Sequence, residues 1–182
     1  EVSLGYPREW QRRGLPEPLL VVTDGAPGLI RAVEECFPRS ARQRCLAHRM
    51  RNLQGKVPEA QWPEFQARAR ACYQAASPAL AQMLAADVIA TYSSELPTAV
   101  ACFQDDFEAC IAHLRFPLTH RKAIRTTNLL ERLFGEERRR TKVIPHAFGE
   151  RPVLKLMYAA LIRAAEKWRG LRMTEFEQRQ LK

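Results

Sequence analysis

The chain has 182 residues, 46% hydrophobic and 27% charged, enough for one full core or for a core with a helical subdomain. It has no signal-peptide pattern and no unbroken apolar run of about 18 residues or more, and its five scattered cysteines argue against a disulfide framework and for a reducing compartment. The expectation is a soluble cytoplasmic chain with no membrane partner, opening at Glu1 as a piece of a longer one, whose net charge of +9 suits a polyanionic partner.

In chain order, the first clear element is Leu19–Val22, a continuous apolar and β-branched run, as expected of a strand buried on both faces. Asp24-Gly25 ends it and Pro27-Gly28 opens a helix. Leu29, Val33, Cys36 and Phe37 recur on one face of that helix, and Pro38 stops it. A shorter strand in "ARQRCLAH" leads into a helix around Arg49–Leu53. Strand, helix, strand, helix over residues 1–56 indicates an α/β fold.

Residues 57–114 contain no comparable strand run. Their Ala-rich stretches predict a helical insertion of three or four helices, with Ser77-Pro78 as an N-cap followed by Pro at N1. This insertion is acidic, with two Lys/Arg against seven Asp/Glu, and the flanking blocks are basic. In residues 115–182 one helix starts near Asn128. Another covers about 152–168, with Val153, Met157, Ala160, Leu161, Ala164 and Trp168 as its buried stripe.

Three constellations could carry chemistry. Asp24 lies at the C-terminal end of a strand, where open α/β sheets place ligands, although an Asp before Gly also suits a plain turn. Asn128 and Glu131 have capping-box spacing, so Glu131 could simply reach back to a backbone N–H. The same helix, however, carries Arg132, Arg138, Arg139 and Arg140, followed by Lys142, and a carboxylate followed by cations suits a divalent ion flanked by phosphates. Cys45-x-x-His48 and Cys110-x-x-His113 could together form a zinc site, or could be small apolar residues and hydrogen-bonding imidazoles. Phosphate-loop, dinucleotide-binding, serine-hydrolase and zincin motifs are absent.

The ordered set of a strand-ending Asp-Gly, a following "FP", the block "CLAHRMRN" and the late "TTNLLE" resembles the mutator-type transposases of bacterial insertion sequences, over nearly the whole chain. The resemblance implies a ribonuclease-H-like fold with an all-helical insertion. It also implies a D-D-E carboxylate triad holding two divalent ions (Mg²⁺ or Mn²⁺) and metal-dependent cleavage and transfer of DNA strands. Asp24 matches the second Asp, Glu131 the Glu, Asn128 the Asn before it, and Cys45 and His48 a C-x-x-H expected to support the site structurally. Arg125 and the arginine run would meet DNA, both terminal inverted repeats and target, in a self-associated complex.

The family's first Asp lies on an earlier strand. Glu1, Glu9 and Glu17 sit in no strand pattern, and "YPREWQRRGL" looks like the helix between the first strands and Asp24. The expectation is a partial ribonuclease-H-like core lacking its N-terminal strands and one carboxylate, and inactive alone. A basic nucleic-acid-binding or subunit-interaction module without activity is the alternative, and a zinc-stabilised structural domain a third.

Overall fold

The computed structural model describes residues 2–141, 150–167 and 172–181. They form a mostly helical α/β chain in two compact units, residues 1–127 and 128–180.

The first unit opens with α1 (Val2–Arg12), packed on α2 (Pro27–Cys36). Between them runs β1 (Leu20–Thr23), and after α2 comes β2 (Ala41–Arg44), paired parallel to β1 with Leu20 opposite Ala41 and Thr23 opposite Arg44. Pro27 starts α2 because its missing N–H falls where no intrahelical bond is needed. Val33, Cys36 and Phe37 are buried as the periodicity predicts, whereas Leu29 is half-buried and Ala32 takes its place in the buried side.

β1 departs from expectation. Leu20, Val21 and Val22 are only half-buried and Leu19 is 60% exposed, because among the described residues β1 has one hydrogen-bonded neighbour, β2. β2 is polar yet well buried, since its side chains find partners inside the fold. Gln43 donates through Nε2 to the carbonyl of Cys110 (3.0 Å) and of Arg44 (2.7 Å), and its Oε1 accepts the His113 N–H at 2.7 Å. A buried amide with every polar atom satisfied costs the fold little.

Helix α3 (Leu46–Gln54) enters the main core with α4 (Trp62–Tyr73), α5 (Pro78–Tyr92), α6 (Pro97–Gln104) and α7 (Phe107–Ile111), the last running into a 3₁₀ turn, Ala112–Arg115. Leu53, Phe65, Tyr73, Val88, Phe103 and Ile111 centre this cluster, with Phe65 stacked obliquely on Tyr92 at 5.0 Å and Phe103 on Phe107 at 5.2 Å. Each large side chain contributes about 1.5–3 kcal/mol by leaving water. Buried Ala69 in α4, with Ala81 and Ala85 in α5, keeps these packed helices close. Ser77 caps α5 through its Oγ, which accepts the Leu80 N–H at 3.2 Å, as the Ser-Pro signal predicts. The helical stretch shares its core with α3, which anchors it to the strands. Helix α8 (Leu118–Ile124) completes the unit.

The second unit holds α9 (Asn128–Thr141), α10 (Glu150–Lys167) and α11 (Glu175–Gln180), with α9 packed on α10. Both long helices fall where the sequence places them. Of the stripe read on α10, Val153 and Met157 are half-buried and Leu161 is 37% exposed. Trp168 and the side chains of Ala160 and Ala164 lie outside the described residues. No described helix is long and apolar enough to cross a membrane.

Candidate functional site at the carboxyl end of the parallel strands

β1 ends at Thr23, and the chain turns sharply through Asp24 and Gly25. Asp24 Oδ1 accepts the Ala26 N–H at 3.0 Å, which fixes the carboxylate over its own turn while the residue stays exposed. Gly25 has φ +95°, a conformation that side chains with a Cβ rarely adopt. Space excludes a side chain as well: a Cβ there would lie 2.4 Å from Arg44 Nε and 2.5 Å from Arg44 Cζ. The turn reading of Asp24 is thus realised. The same geometry leaves an oxygen-donor side chain at the mouth of the strands, as a hard divalent cation requires.

Arg44 reaches Gly25 because it ends β2 directly opposite Thr23. It is nearly fully buried, with Nη1 3.0 Å from Asp105 and 3.5 Å from Asp106. These two acids form the junction between α6 and α7. Arg42, on the same face of β2 two residues earlier, binds Asp106 through both terminal nitrogens at 2.6 and 2.5 Å. That fork holds Asp106 in the left-handed region (φ 57°), uncommon for a residue other than Gly. Arg49, from α3, donates to Asp105 Oδ2 at 3.2 Å, to the Asp105 carbonyl, and to the Cys102 carbonyl at 2.5 Å. Partial burial pushes the Asp105 carboxyl up, but the hydrogen bond and charge of Arg49, with Arg44, outweigh it and hold the group below its ordinary value. The sequence reading missed this cluster. Its one signal is the Arg42/Arg44 spacing, which puts two cations on one face of a strand beside an Asp-bearing turn.

Cys45 is the residue before α3. Its Sγ accepts both the N–H and the hydroxyl of Thr127, each at 3.3 Å, and the Leu46 N–H donates to the Arg125 carbonyl at 3.0 Å. Burial pushes the Cys45 thiol up, yet hydrogen bonds from Thr127 and His48 outweigh burial and leave it lower than ordinary. The other C-x-x-H goes elsewhere. The ring of His113 lies between the Tyr73 carbonyl (Nε2, 3.0 Å) and Gln43 Oε1 (Nδ1, 3.1 Å), and burial lowers its pKa to about 4, so the ring is neutral. Among the described residues Cys45, His48, Cys110 and His113 do not converge on one point, so a four-ligand zinc site from these pairs is not formed.

Glu131 belongs to the second unit, in the first turn of α9, and is half-buried. The helix includes Asn128, one position later than the capping-box spacing assumes. Reciprocal capping is seen at α11, where the Glu177 N–H meets Thr174 Oγ1 at 3.3 Å and the Thr174 N–H meets Glu177 Oε2 at 2.8 Å. Arg132, Arg138 and Arg139 are exposed along α9, with Arg139 paired to Glu136 at 2.8 Å. Arg125 is half-buried in the first unit. Lys142 and the side chain of Arg140 lie outside the described residues.

The profile of the family described as "Transposase, Mutator family" matches residues 6–170. The transposase for insertion sequence element IS6120 of Mycolicibacterium smegmatis is 32% identical over 164 residues, covering 90% of this chain and 51% of that protein. The transposase for element IST2 of Acidithiobacillus ferrooxidans is 32% identical over 165 residues, 90% of this chain and 56% of that protein. The transposase for element IS256 in transposon Tn4001 of Staphylococcus aureus is 28% identical over 160 residues, 87% of this chain and 41% of that protein. The chain spans about half the length of the first two.

Proposed function

Because the chain belongs to the mutator family of transposases, we propose that it is a catalytic segment of a DNA transposase, with Asp24 and Glu131 as two carboxylates of a D-D-E site. The observation that carries this reading is the exposed Asp24 carboxylate at the carboxyl end of β1, held over a glycine turn within a chain that matches the family from residue 6 to residue 170. A parallel β1–α2–β2 unit with an acid at its mouth supports a ribonuclease-H-like core. The third carboxylate is assigned to sequence outside this chain.

Asp24 fits a hard cation, because its donors are carboxylate oxygens and the residue is exposed. Bound there, a pair of Mg²⁺ or Mn²⁺ ions would activate the attacking oxygen and stabilise the leaving one. The chain's own residues position and neutralise. The turn at Gly25 aims Asp24. Thr127, at the end of the first unit, is fastened to Cys45 through its N–H and its hydroxyl. The exposed arginines of α9, with Arg125, supply phosphate contacts that position DNA without reading its sequence. The substrates on this reading are the terminal inverted repeats and target DNA, handled by a self-associated complex.

The test is Asp24→Asn in a full-length transposase carrying this segment. Strand cleavage with Mg²⁺ or Mn²⁺ falls to background while DNA affinity stays within about twofold, since the substitution keeps size and the Ala26 hydrogen bond and removes only charge. Cleavage near the unmodified rate would show that Asp24 is a turn residue and no more.

A further inference from the structure

We propose that Arg44 is a positioning residue for Asp24, and that through it the helical stretch 57–114 sets the geometry of the site. The proposal rests on the reading of Asp24 as a catalytic carboxylate. A carboxylate that must hold a metal has to sit within about 0.5 Å of its productive place, and a glycine beside it works against that by leaving the backbone free. In this chain the freedom is removed from outside. The volume that a side chain at position 25 would fill is taken by the Arg44 guanidinium, whose Nε, Cζ and Nη2 lie 2.4, 2.5 and 2.7 Å from the ideal Cβ position.

The guanidinium is itself fixed. Arg44 is buried at the end of β2, with Thr23 as its register partner, and its Nη1 faces Asp105 at 3.0 Å and Asp106 at 3.5 Å. Each aspartate is held by a second arginine, Asp106 by one from β2 and Asp105 by one from α3. Arg42 grips Asp106 through two hydrogen bonds, and Arg49 holds both the carboxylate and the carbonyl of Asp105. Both acids sit where α6 gives way to α7, so the helical stretch supplies the anions and the strand supplies the cation that braces the Asp24 turn. Lysine could keep one ion pair here but could not present a flat guanidinium to Gly25 while pairing with both acids.

The experiment compares Arg44→Ala and Arg44→Lys with the unmodified chain by backbone ¹⁵N relaxation. In full-length transposase it adds cleavage and DNA-affinity measurements, with Asp24→Asn as reference. The order parameter of the Gly25 N–H should fall from the rigid range of about 0.85 toward 0.6 or below in Arg44→Ala, with Arg44→Lys between and Thr23 unchanged. Cleavage should drop at least tenfold in Arg44→Ala with DNA affinity within about twofold, and Arg44→Lys should recover part of the loss. If Arg44→Ala does not fold, Arg44→Lys carries both readouts alone. An unchanged Gly25 order parameter in a folded Arg44 variant overturns the proposal. A mobile Gly25 with normal cleavage, while Asp24→Asn is inactive, also overturns it and leaves the reading of Asp24 standing. Cleavage by Asp24→Asn removes the catalytic reading and this proposal with it.

Discussion

Replacing Gly25 by alanine separates two costs that the structure predicts independently. The first is backbone conformation: φ of +95° costs an L-residue with a Cβ about 1–2 kcal/mol. The second is overlap, since the new methyl would lie 2.4 Å from Arg44 Nε. A free arginine would swing away cheaply, but this one is buried and tied to Asp105 and Asp106, so displacing it costs a further ~1–3 kcal/mol. Gly25→Ala should therefore lose about 2–5 kcal/mol, which in urea shifts the midpoint down by about 1–2 M. In an Arg44→Ala background only the backbone part should remain, giving a coupling of about 1–3 kcal/mol in the double-mutant cycle. Equal costs in the two backgrounds would refute the packing of the guanidinium on the turn.

Cys45→Ala should cost about 1–2 kcal/mol, the loss of a small core side chain and of the acceptor for Thr127, and a chelator added in excess Mg²⁺ should leave the melting temperature unchanged. A chelator-induced drop would reinstate zinc. Folding holds His113 neutral with its pKa lowered to about 4 from 6.5, so the unfolded chain binds the proton first. Stability should therefore fall by up to about 1.4 kcal/mol per pH unit as pH drops from about 6.5 to about 4, a slope that His113→Gln should flatten in pH-dependent unfolding. Neutralising Arg138, Arg139 and Arg140 together should weaken DNA binding and reduce the slope of log affinity against log salt by up to about three; an unchanged slope would count against a phosphate-binding role for α9.

Local signals were legible in the sequence and long-range ones were not. The apolar run, the Asp-Gly and Pro-Gly boundaries and the Ser-Pro cap placed β1, α2 and α5, because each depends on residues a few positions apart. How deeply β1 is buried depends on what lies beside it, and pattern alone could not show that Leu19 would be exposed. The exposure of Leu161 on α10 has the same reason, since periodicity shows which residues share a face and not what covers that face. In the site, Asp24 and its glycine were readable because the turn is local. Arg44 was not, because its partners Asp105 and Asp106 are 61 and 62 residues away and its contact with Gly25 follows from strand register. Nor does composition show that two of the acids of residues 57–114 brace the strand end.

The most direct test of the account is Glu131→Gln in full-length transposase, with cleavage and thermal melting measured on the same preparation. The account predicts that cleavage with Mg²⁺ or Mn²⁺ is abolished, DNA binding is kept or slightly tightened by the loss of a negative charge, and the melting temperature moves by no more than about 2 °C. Near-normal cleavage with a clear loss of stability would make Glu131 a structural residue of α9 and contradict the account.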